Sequence, residues 1–300
     1  MFGVLSHIDI VKLGQLLKGS VRADVLISLL MLALAVIVNS HRWAAVSKQL
    51  GQPLRMRSSL LGYFESLFFN QVLPSSIGGD AVRVLRAVDV GISYRDAIVG
   101  VLIDRMLGIW IVAICILTVY ALHVSEIANS PVFLVLFLVS AAVVVGAVFL
   151  IVGKPLLGLS WPSWASPLLF LIKSFQATII SRAWPVLFLD LCLTTAFSVI
   201  SFWMCVRALG INIDWLSAMV VLQGITLASI IPATIGGWGL REGAAVLLFA
   251  PIGVDVSKAT AVSILFGLVL TALGLLGALV WLVAGYRRKF QSPLQRRAAA

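Results

Sequence analysis

Long apolar runs separated by short polar links dominate the sequence. A helix needs about 20 predominantly apolar residues to cross the hydrocarbon core of a bilayer. Five runs meet this requirement: 24–41, 97–122, 131–152, 184–206 and 259–284. We therefore predict five transmembrane helices and an all-α polytopic integral membrane protein.

Two further apolar segments, 59–73 and 215–231, are short, and each runs into a proline followed by a Gly-Gly pair. Proline ends or kinks a helix, and glycine lets the backbone turn or approach a neighbour closely. We predict that each segment enters the membrane and returns to the same side as a re-entrant hairpin. The returning helices would be 80–90, with Asp80 as its N-cap, and 241–250.

The two breaks are copies of one motif. Leu73–Arg83 reads LPSSIGGDAVR and Ile231–Arg241 reads IPATIGGWGLR, with proline, isoleucine, both glycines and arginine in register. We interpret this as an internal duplication within a single domain, 1–300, with repeat 1 at about 24–122 and repeat 2 at about 184–284. The predicted span order makes the repeat inverted, an arrangement that places transporter sites near the middle of the membrane.

Segment 167–182 has a different pattern, because its apolar residues recur at helical spacing. Leu168, Ile172, Phe175 and Ile179 share one face. We predict an amphipathic helix that lies on the cytoplasmic surface of the membrane.

The composition agrees with a membrane protein: 61% of the 300 residues are hydrophobic and 11% are charged, against about 25% charged in soluble domains. The net charge of +10 does not indicate nucleic acid as a partner, because lysines and arginines flank the apolar runs. They concentrate in four linkers, 41–58, 79–97, 153–183 and 286–300. The positive-inside rule places these linkers and the C-terminus in the cytoplasm.

Residues 1–23 are the exception to this charge distribution. They carry Lys12, Lys18 and Arg22, yet the predicted span order puts them outside.

Nothing in the sequence indicates a catalytic, metal or cofactor site. Cys115, Cys192 and Cys205 lie in apolar runs without disulfide or metal spacing. The three histidines are scattered near segment ends, and no phosphate-binding loop motif is present. We therefore expect no enzyme activity and no cofactor.

Ionisable residues inside apolar runs are costly and are functional candidates. Asp104 and Arg105 point about 100° apart on a helix, so each needs a partner from another helix. The candidate pairs are Glu65 with Arg105 or Asp104 with Arg83, and such a pair would either lock the hairpin to the span or act on substrate.

For the other ionisable residues we expect the following roles. We expect Arg83 and Arg241 to hold an anionic headgroup, since arginine suits bidentate contacts with oxygen. Glu242 would cap the helix that follows the second break. Arg86 would anchor the chain at the membrane surface, and Asp190, which looks isolated, would be a proton site or a polar contact. The first span would end at the interfacial residues His41-Arg42-Trp43.

A family resemblance rests on the run FFNQVLPSSIGGDAVRVLRA, the pair Asp104-Arg105 and the run IPATIGGWGLREGA. In this order they resemble the lysylphosphatidylglycerol synthase transmembrane-region family, the flippase-like domain at the front of the bacterial multiple peptide resistance factor. The resemblance implies lipid translocation, or a supporting role in lipid or glycolipid metabolism, in a bacterial inner membrane. It implies one further span before residues 5–24, which would explain the outside placement of residues 1–23. It implies no lysine transfer, because a soluble aminoacyl-transferase domain has no counterpart here.

Carried over by position, the family pattern marks candidate substrate-binding residues in both halves. They are Asn70, Pro74, Gly78, Gly79, Asp80, Arg83, Asp104, Arg105, Pro232, Gly236, Gly237, Gly239, Arg241 and Glu242.

Three functions remain open at this stage. The first is a flippase or translocator for an anionic phospholipid or a polyprenyl-linked lipid, with membrane lipids as its partners. The second is a lipid-modifying transferase that would use acidic groups such as Glu65 and Asp80. The third is a scaffold that docks a separately encoded lipid-modifying enzyme through 167–182 and the basic tail 286–300.

Overall fold

The computed structural model describes residues 21–73, 77–122, 130–152, 166–230 and 236–290, and these form helices joined by short links. In chain order the α-helices are α1 (Val21–Gln49), α2 (Met56–Val72), α3 (Ile77–Asp89), α4 (Tyr94–Leu122), α5 (Pro131–Val152), α6 (Ser166–Ile180), α7 (Trp184–Ala208), α8 (Trp215–Ala228), α9 (Leu240–Phe249) and α10 (Val256–Phe290). The predicted all-α fold is confirmed.

The predicted number of spans is also confirmed. Within the described ranges, five helices are long and apolar enough to cross a membrane: α1, α4, α5, α7 and α10. The chain is therefore a multi-pass membrane protein. The end of the first span was wrong, because α1 continues past residue 41 to Gln49. Trp43 and Val46 are buried beyond that point, and their packing stabilises the additional helical residues.

Each motif joins two helices that pack antiparallel. In hairpin 1 (α2 and α3), Asn70 contacts Gly79 near the turn and Glu65 contacts Arg86 further away. Hairpin 2 (α8 and α9) has the same arrangement, with Ser229 near Gly237 at the turn and Gly224 against Leu248. Both helices of each hairpin are too short to count among the spans.

The Gly-Gly pairs serve the two hairpins differently. In hairpin 1 they belong to the first turn of α3, where a Cβ on Gly79 would lie 2.4 Å from Asn70 Oδ1. In hairpin 2, Gly236 and Gly237 precede α9 with φ of 61° and 77°, a conformation that favours glycine. The motif is therefore repeated in sequence but not in backbone conformation.

Asp80 is not the N-cap that we predicted. Because α3 begins at Ile77, Asp80 lies inside its first turn. The side chain of Asn70 takes part of the capping role, since its Oδ1 accepts a hydrogen bond of 3.0 Å from the N–H of Gly79. This leaves the carboxylate of Asp80 available for a partner on another helix.

The two halves of the chain are interleaved. Helices α1 and α7 run antiparallel, as shown by a Ser28–Ser201 contact of 2.8 Å near one end and a His41–Asp190 contact of 2.7 Å near the other. Helix α2 of hairpin 1 packs on α10, and α8 of hairpin 2 packs on α4. Each hairpin thus packs against the last long helix of the other half. As a result, the two halves share one core.

Helix α6 matches the predicted amphipathic segment in position. Phe175 is buried in the core formed by α4 and α7, Ile179 packs against that core and Ile172 is also buried, whereas Leu168 is 47% exposed. Three of the four residues predicted to share the apolar face are therefore buried or packed against the protein, and Thr178 is buried beside them.

The packing of α10 on α2 depends on Gly277. A Cβ at this position would lie 2.0 Å from the carbonyl oxygen of Phe64, so Gly277→Ala must force the two helices apart. Overpacking of this kind costs about 1–3 kcal/mol, and we expect a lower melting temperature of the purified protein. Gly146→Ala on α5 is the matched control, because a Cβ there meets nothing within 4 Å. Equal melting temperatures for the two variants would contradict this packing.

Candidate functional site

The turn ends of both hairpins open onto one cavity of about 500 Å³. Hairpin 1 contributes Asn70 and Gln71, and hairpin 2 contributes Gly236 and Gly237. The two ends touch, since a Cβ on Gly236 would lie 2.9 Å from Gln71 Oε1. The charged residues that line the cavity are Arg42, Asp80, Arg83, Asp104, Arg105 and Arg241.

Asp104 is the centre of the charged cluster. Its carboxylate accepts hydrogen bonds from Arg42 Nε at 2.7 Å, from Arg83 Nη2 at 2.7 Å and from the hydroxyl of Tyr63 at 2.5 Å. All four residues are buried. Two guanidinium groups share one carboxylate, so this group carries a net charge of one positive unit inside the helix bundle. The candidate pair of Asp104 with Arg83 is confirmed.

Arg83 also has aromatic neighbours. Its guanidinium carbon lies 4.1 Å from the ring centre of Tyr63 and 4.6 Å from that of Trp43. Cations over aromatic faces are stabilised by the ring quadrupole, more strongly where water is excluded. Within the described ranges Arg83 Nε has no hydrogen-bond partner. The rings compensate in part for the water that this cation has lost.

A second ion pair extends the cluster towards open space. Arg105 Nε donates to Asp80 Oδ2 at 2.6 Å, and Asp80 Oδ1 also lies 3.5 Å from Arg83 Nη1. The side chain of Arg105 is 33% exposed, against 4% for Arg83. Arg105 is therefore the more accessible of these two arginines.

Hairpin 2 pairs its arginine locally. Arg241 Nη2 donates to Glu242 Oε1 at 3.1 Å, and the guanidinium carbon lies 4.5 Å from the ring centre of Trp238. Arg241 packs so closely on α10 that a Cβ on Gly267 would lie 2.1 Å from Nη2. Glycine at position 267 is what makes room for the guanidinium group.

The capping role expected of Glu242 is confirmed. Its Oε2 accepts a hydrogen bond from the N–H of Gly239, the residue that precedes α9. Its Oε1 accepts from Arg241 and, at 3.3 Å, from Ser263 on α10. One carboxylate thus holds the start of α9, the arginine beside it and the neighbouring long helix.

Several sequence expectations about polar residues were wrong. Arg86 is not an interfacial anchor: it is buried, with Nη2 3.1 Å from Glu65 Oε1. Arg42 and Trp43 are likewise buried rather than interfacial, and Arg42 was absent from the predicted site. The sequence did contain a feature that could have predicted this role for Arg42. Asp104 lies within a span, and a buried aspartate requires cations from other helices.

Asp190 is not isolated either. Its Oδ2 lies 2.7 Å from His41 Nδ1, so α1 supplies its partner. His41 had been assigned to the membrane surface because it ends an apolar run. The helix that continues past it changes that interpretation.

The remaining predicted site residues divide into three groups. Asn70, Asp80, Arg83, Asp104, Arg105, Gly236, Gly237 and Arg241 line the cavity. Gly78, Gly79, Gly239 and Glu242 support these residues through the contacts of hairpin 1 and the cap of α9. Pro74 and Pro232 lie outside the described residues.

The charge of the cavity lining favours an anion. Four arginines and two aspartates line it, and walls of one dominant charge raise the local concentration of the opposite ion. In the part of the chain that the structure describes, no three His, Cys, Asp or Glu side chains form a potential metal site.

The sequence matches the family described as Lysylphosphatidylglycerol synthase TM region over residues 1–291. The match includes both hairpins and the long helices around them. A comparison with curated proteins gave no match.

The shared carboxylate makes a direct prediction about stability. Asp104→Asn would leave Arg42 and Arg83 buried without a counter-ion, and breaking a buried ion pair costs about 3–5 kcal/mol. We expect a large fall in the melting temperature, partly restored by adding Arg42→Gln. Asp96→Asn is the control, because Asp96 pairs with Ser93 at the exposed start of α4. Equal stability of the Asp104 and Asp96 variants would contradict this role for Asp104.

Proposed function

Because the chain belongs to the lysylphosphatidylglycerol synthase TM region family, we propose that it moves a lipid across the bacterial inner membrane. A membrane lipid-related function follows from the family. The proposal adds that the protein translocates an anionic phospholipid or a polyprenyl-linked lipid. It also adds that the C-terminus is cytoplasmic, on the charge distribution of the linkers.

One observation carries this proposal: two broken hairpins from different halves of the chain meet at a single charged cavity. Non-spanning backbone at membrane depth persists only where it is buried in protein or lines a cavity. Inverted repeats with broken helices commonly place a substrate site where the repeats meet. The meeting of the two hairpins at one cavity supports a substrate site there.

The size and lining of the cavity fit a headgroup better than a whole lipid. Its volume of about 500 Å³ is within the range of about 300–1,000 Å³ for small-molecule sites. Besides the charged residues, apolar side chains such as Leu32, Val36 and Leu270 line it. A phosphate would face the arginines, and the acyl chains would remain among apolar side chains and in the bilayer.

The arginines would act at different stages. Arg105, the more exposed, would meet the phosphate first and exchange its contact with Asp80 for one with the lipid. Arg83 and Arg241 are only 4% exposed and are engaged by Asp104 and Glu242. Their positive charges would attract the anionic headgroup into the cavity. They would contact the headgroup directly once it has entered.

The carboxylates on which a transferase would depend are engaged in the same network. Asp80 and Asp104 accept hydrogen bonds from arginines, and Glu65 and Glu242 lie beside them. This favours a binding role for the acidic groups over acid–base chemistry. We therefore propose a transporter rather than an enzyme.

Replacement of the cavity arginines should slow lipid movement. In liposomes with purified protein, we expect Arg83→Gln, Arg105→Gln and Arg241→Gln to lower the rate at which fluorescent phosphatidylglycerol reaches a protected leaflet. A hydrogen bond to a charged group contributes about 1.5–3 kcal/mol, so the loss should be about tenfold to a hundredfold. An uncharged fluorescent lipid should move slowly with all variants. Protection from an impermeant quencher measures the movement.

Arg57→Gln is the matched control, since Arg57 is exposed at the start of α2 and does not line the cavity. It should transport like the wild type, and elution as a single species should show that every variant is folded. Unchanged rates in all three cavity variants would overturn the headgroup site. Product formation from lipid and a donor would replace translocation with a transferase activity, and recovery of activity only with an added enzyme would indicate a scaffold.

A further inference from the structure

The carboxylates within the described helices differ in the type of partner they have. Glu65 lies beside Arg86, Asp80 beside Arg105 and Glu242 beside Arg241, and Asp104 is held by two arginines. Asp190 is paired with a histidine, His41. Arginine stays charged throughout the physiological range, whereas histidine as a residue type changes its charge there.

The pair has the geometry of a proton site. His41 Nδ1 lies 2.7 Å from Asp190 Oδ2, across the interface of α1 and α7. The side chain of Asp190 is 9% exposed and that of His41 is 52% exposed. One member is therefore buried in the bundle, and the other lies at its surface. Asp190 is six residues into α7, which is about 9 Å from the helix start.

The pair is also next to the cavity. Asn39 on α1 and Thr194 on α7 both line the cavity, and their side chains lie 3.4 Å apart. Asn39 is two residues from His41, and Thr194 is four residues from Asp190. Arg42 directly follows His41 on α1, so a cation lies next to the pair along this helix. Because Arg42 also holds Asp104, a change of charge at the pair would act on the centre of the site through Arg42.

The following charged groups on the helices around His41 and Asp190 lie either in the Asp104 cluster or at exposed positions. Helix α4 presents Asp104 and α2 presents Tyr63, both in the cluster described above. Lys173 on α6 and Lys258 in the first turn of α10 are exposed, and α8 has no ionisable side chain. Arg42 is thus the charged group that links the pair to the cavity.

We propose that His41 and Asp190 bind the proton that couples lipid movement to a proton gradient. This inference rests on the translocation proposed above and adds its energy source. Nδ1–H donates to Asp190, so an incoming proton binds to Nε2 and the charge of the pair changes from minus one to zero. The same proton leaves from Nε2 to the opposite side of the membrane later in the transport cycle. No other reactant is needed.

The sign of the coupling follows from Arg42. When the pair is negative it attracts Arg42, and when it is neutral it leaves the whole charge of Arg42 to the cavity. Protonation therefore favours binding of an anionic headgroup, and proton and lipid move in the same direction.

The test is accumulation of a fluorescent phosphatidylglycerol against its gradient. Liposomes containing the purified full chain receive a pH difference of one unit, with the membrane potential clamped by potassium and valinomycin. One proton per lipid supports an accumulation ratio of up to about tenfold per pH unit, since 1.4 kcal/mol corresponds to a factor of ten. We expect the wild type to accumulate the lipid several-fold in the leaflet on the less acidic side.

His41→Gln and Asp190→Asn should abolish accumulation while both variants still equilibrate the lipid without a pH gradient. Asp24→Asn is the matched control, because Asp24 lies near the opposite end of α1, and it should accumulate lipid like the wild type. Equilibration without accumulation by the wild type, or accumulation by both His41 and Asp190 variants, would overturn the coupling and leave the translocation standing. Absence of any lipid movement by the wild type would overturn both proposals.

Discussion

Burial of Asp104 between Arg42 and Arg83 is the interaction on which the rest of the site depends. An ionised group in the interior of a membrane protein must be paired, because desolvation is costly. Asp104 lies on α4, and its partners come from α1 and from both helices of hairpin 1. The pairing therefore fixes four helices relative to one another. It also leaves one positive charge uncompensated beside a cavity. The group that stabilises this half of the fold is therefore the group that gives the cavity its attraction for anions.

The second half reaches the same cavity by different means. Its arginine, Arg241, pairs with the next residue, Glu242, and the links to α10 are the Ser263 contact and the close approach at Gly267. Its Gly-Gly pair remains in a left-handed turn rather than in a helix. Hairpin 1 is thus held by ion pairs between helices, and hairpin 2 mainly by pairing within one helix. The two walls of the cavity are equivalent in sequence motif but not in how firmly they are held.

The sequence was sufficient for the features that depend on hydropathy and local chemistry. Run lengths predicted five spans, the Pro/Gly-Gly breaks predicted two hairpins, and the position of Glu242 predicted a cap. Arg42, Trp43 and Arg86 were misplaced because polar residues near the end of an apolar run look interfacial. Only contacts with other helices show that they are buried. Asp80 was misplaced because Asn70, ten residues earlier, supplies a cap to the N–H of Gly79 that no local pattern reveals.

The central claim is that a lipid headgroup occupies the cavity between the hairpins. Photo-crosslinking with a phosphatidylglycerol that carries a diazirine on its headgroup tests this most directly, with mapping of the labelled peptides by mass spectrometry. The account predicts adducts on the cavity-lining residues of the two hairpins, such as Ser66, Gln71, Gln223 and Thr226, and loss of these adducts with excess unlabelled lipid. Adducts confined to outward faces such as that of α5, and unaffected by competition, would contradict it.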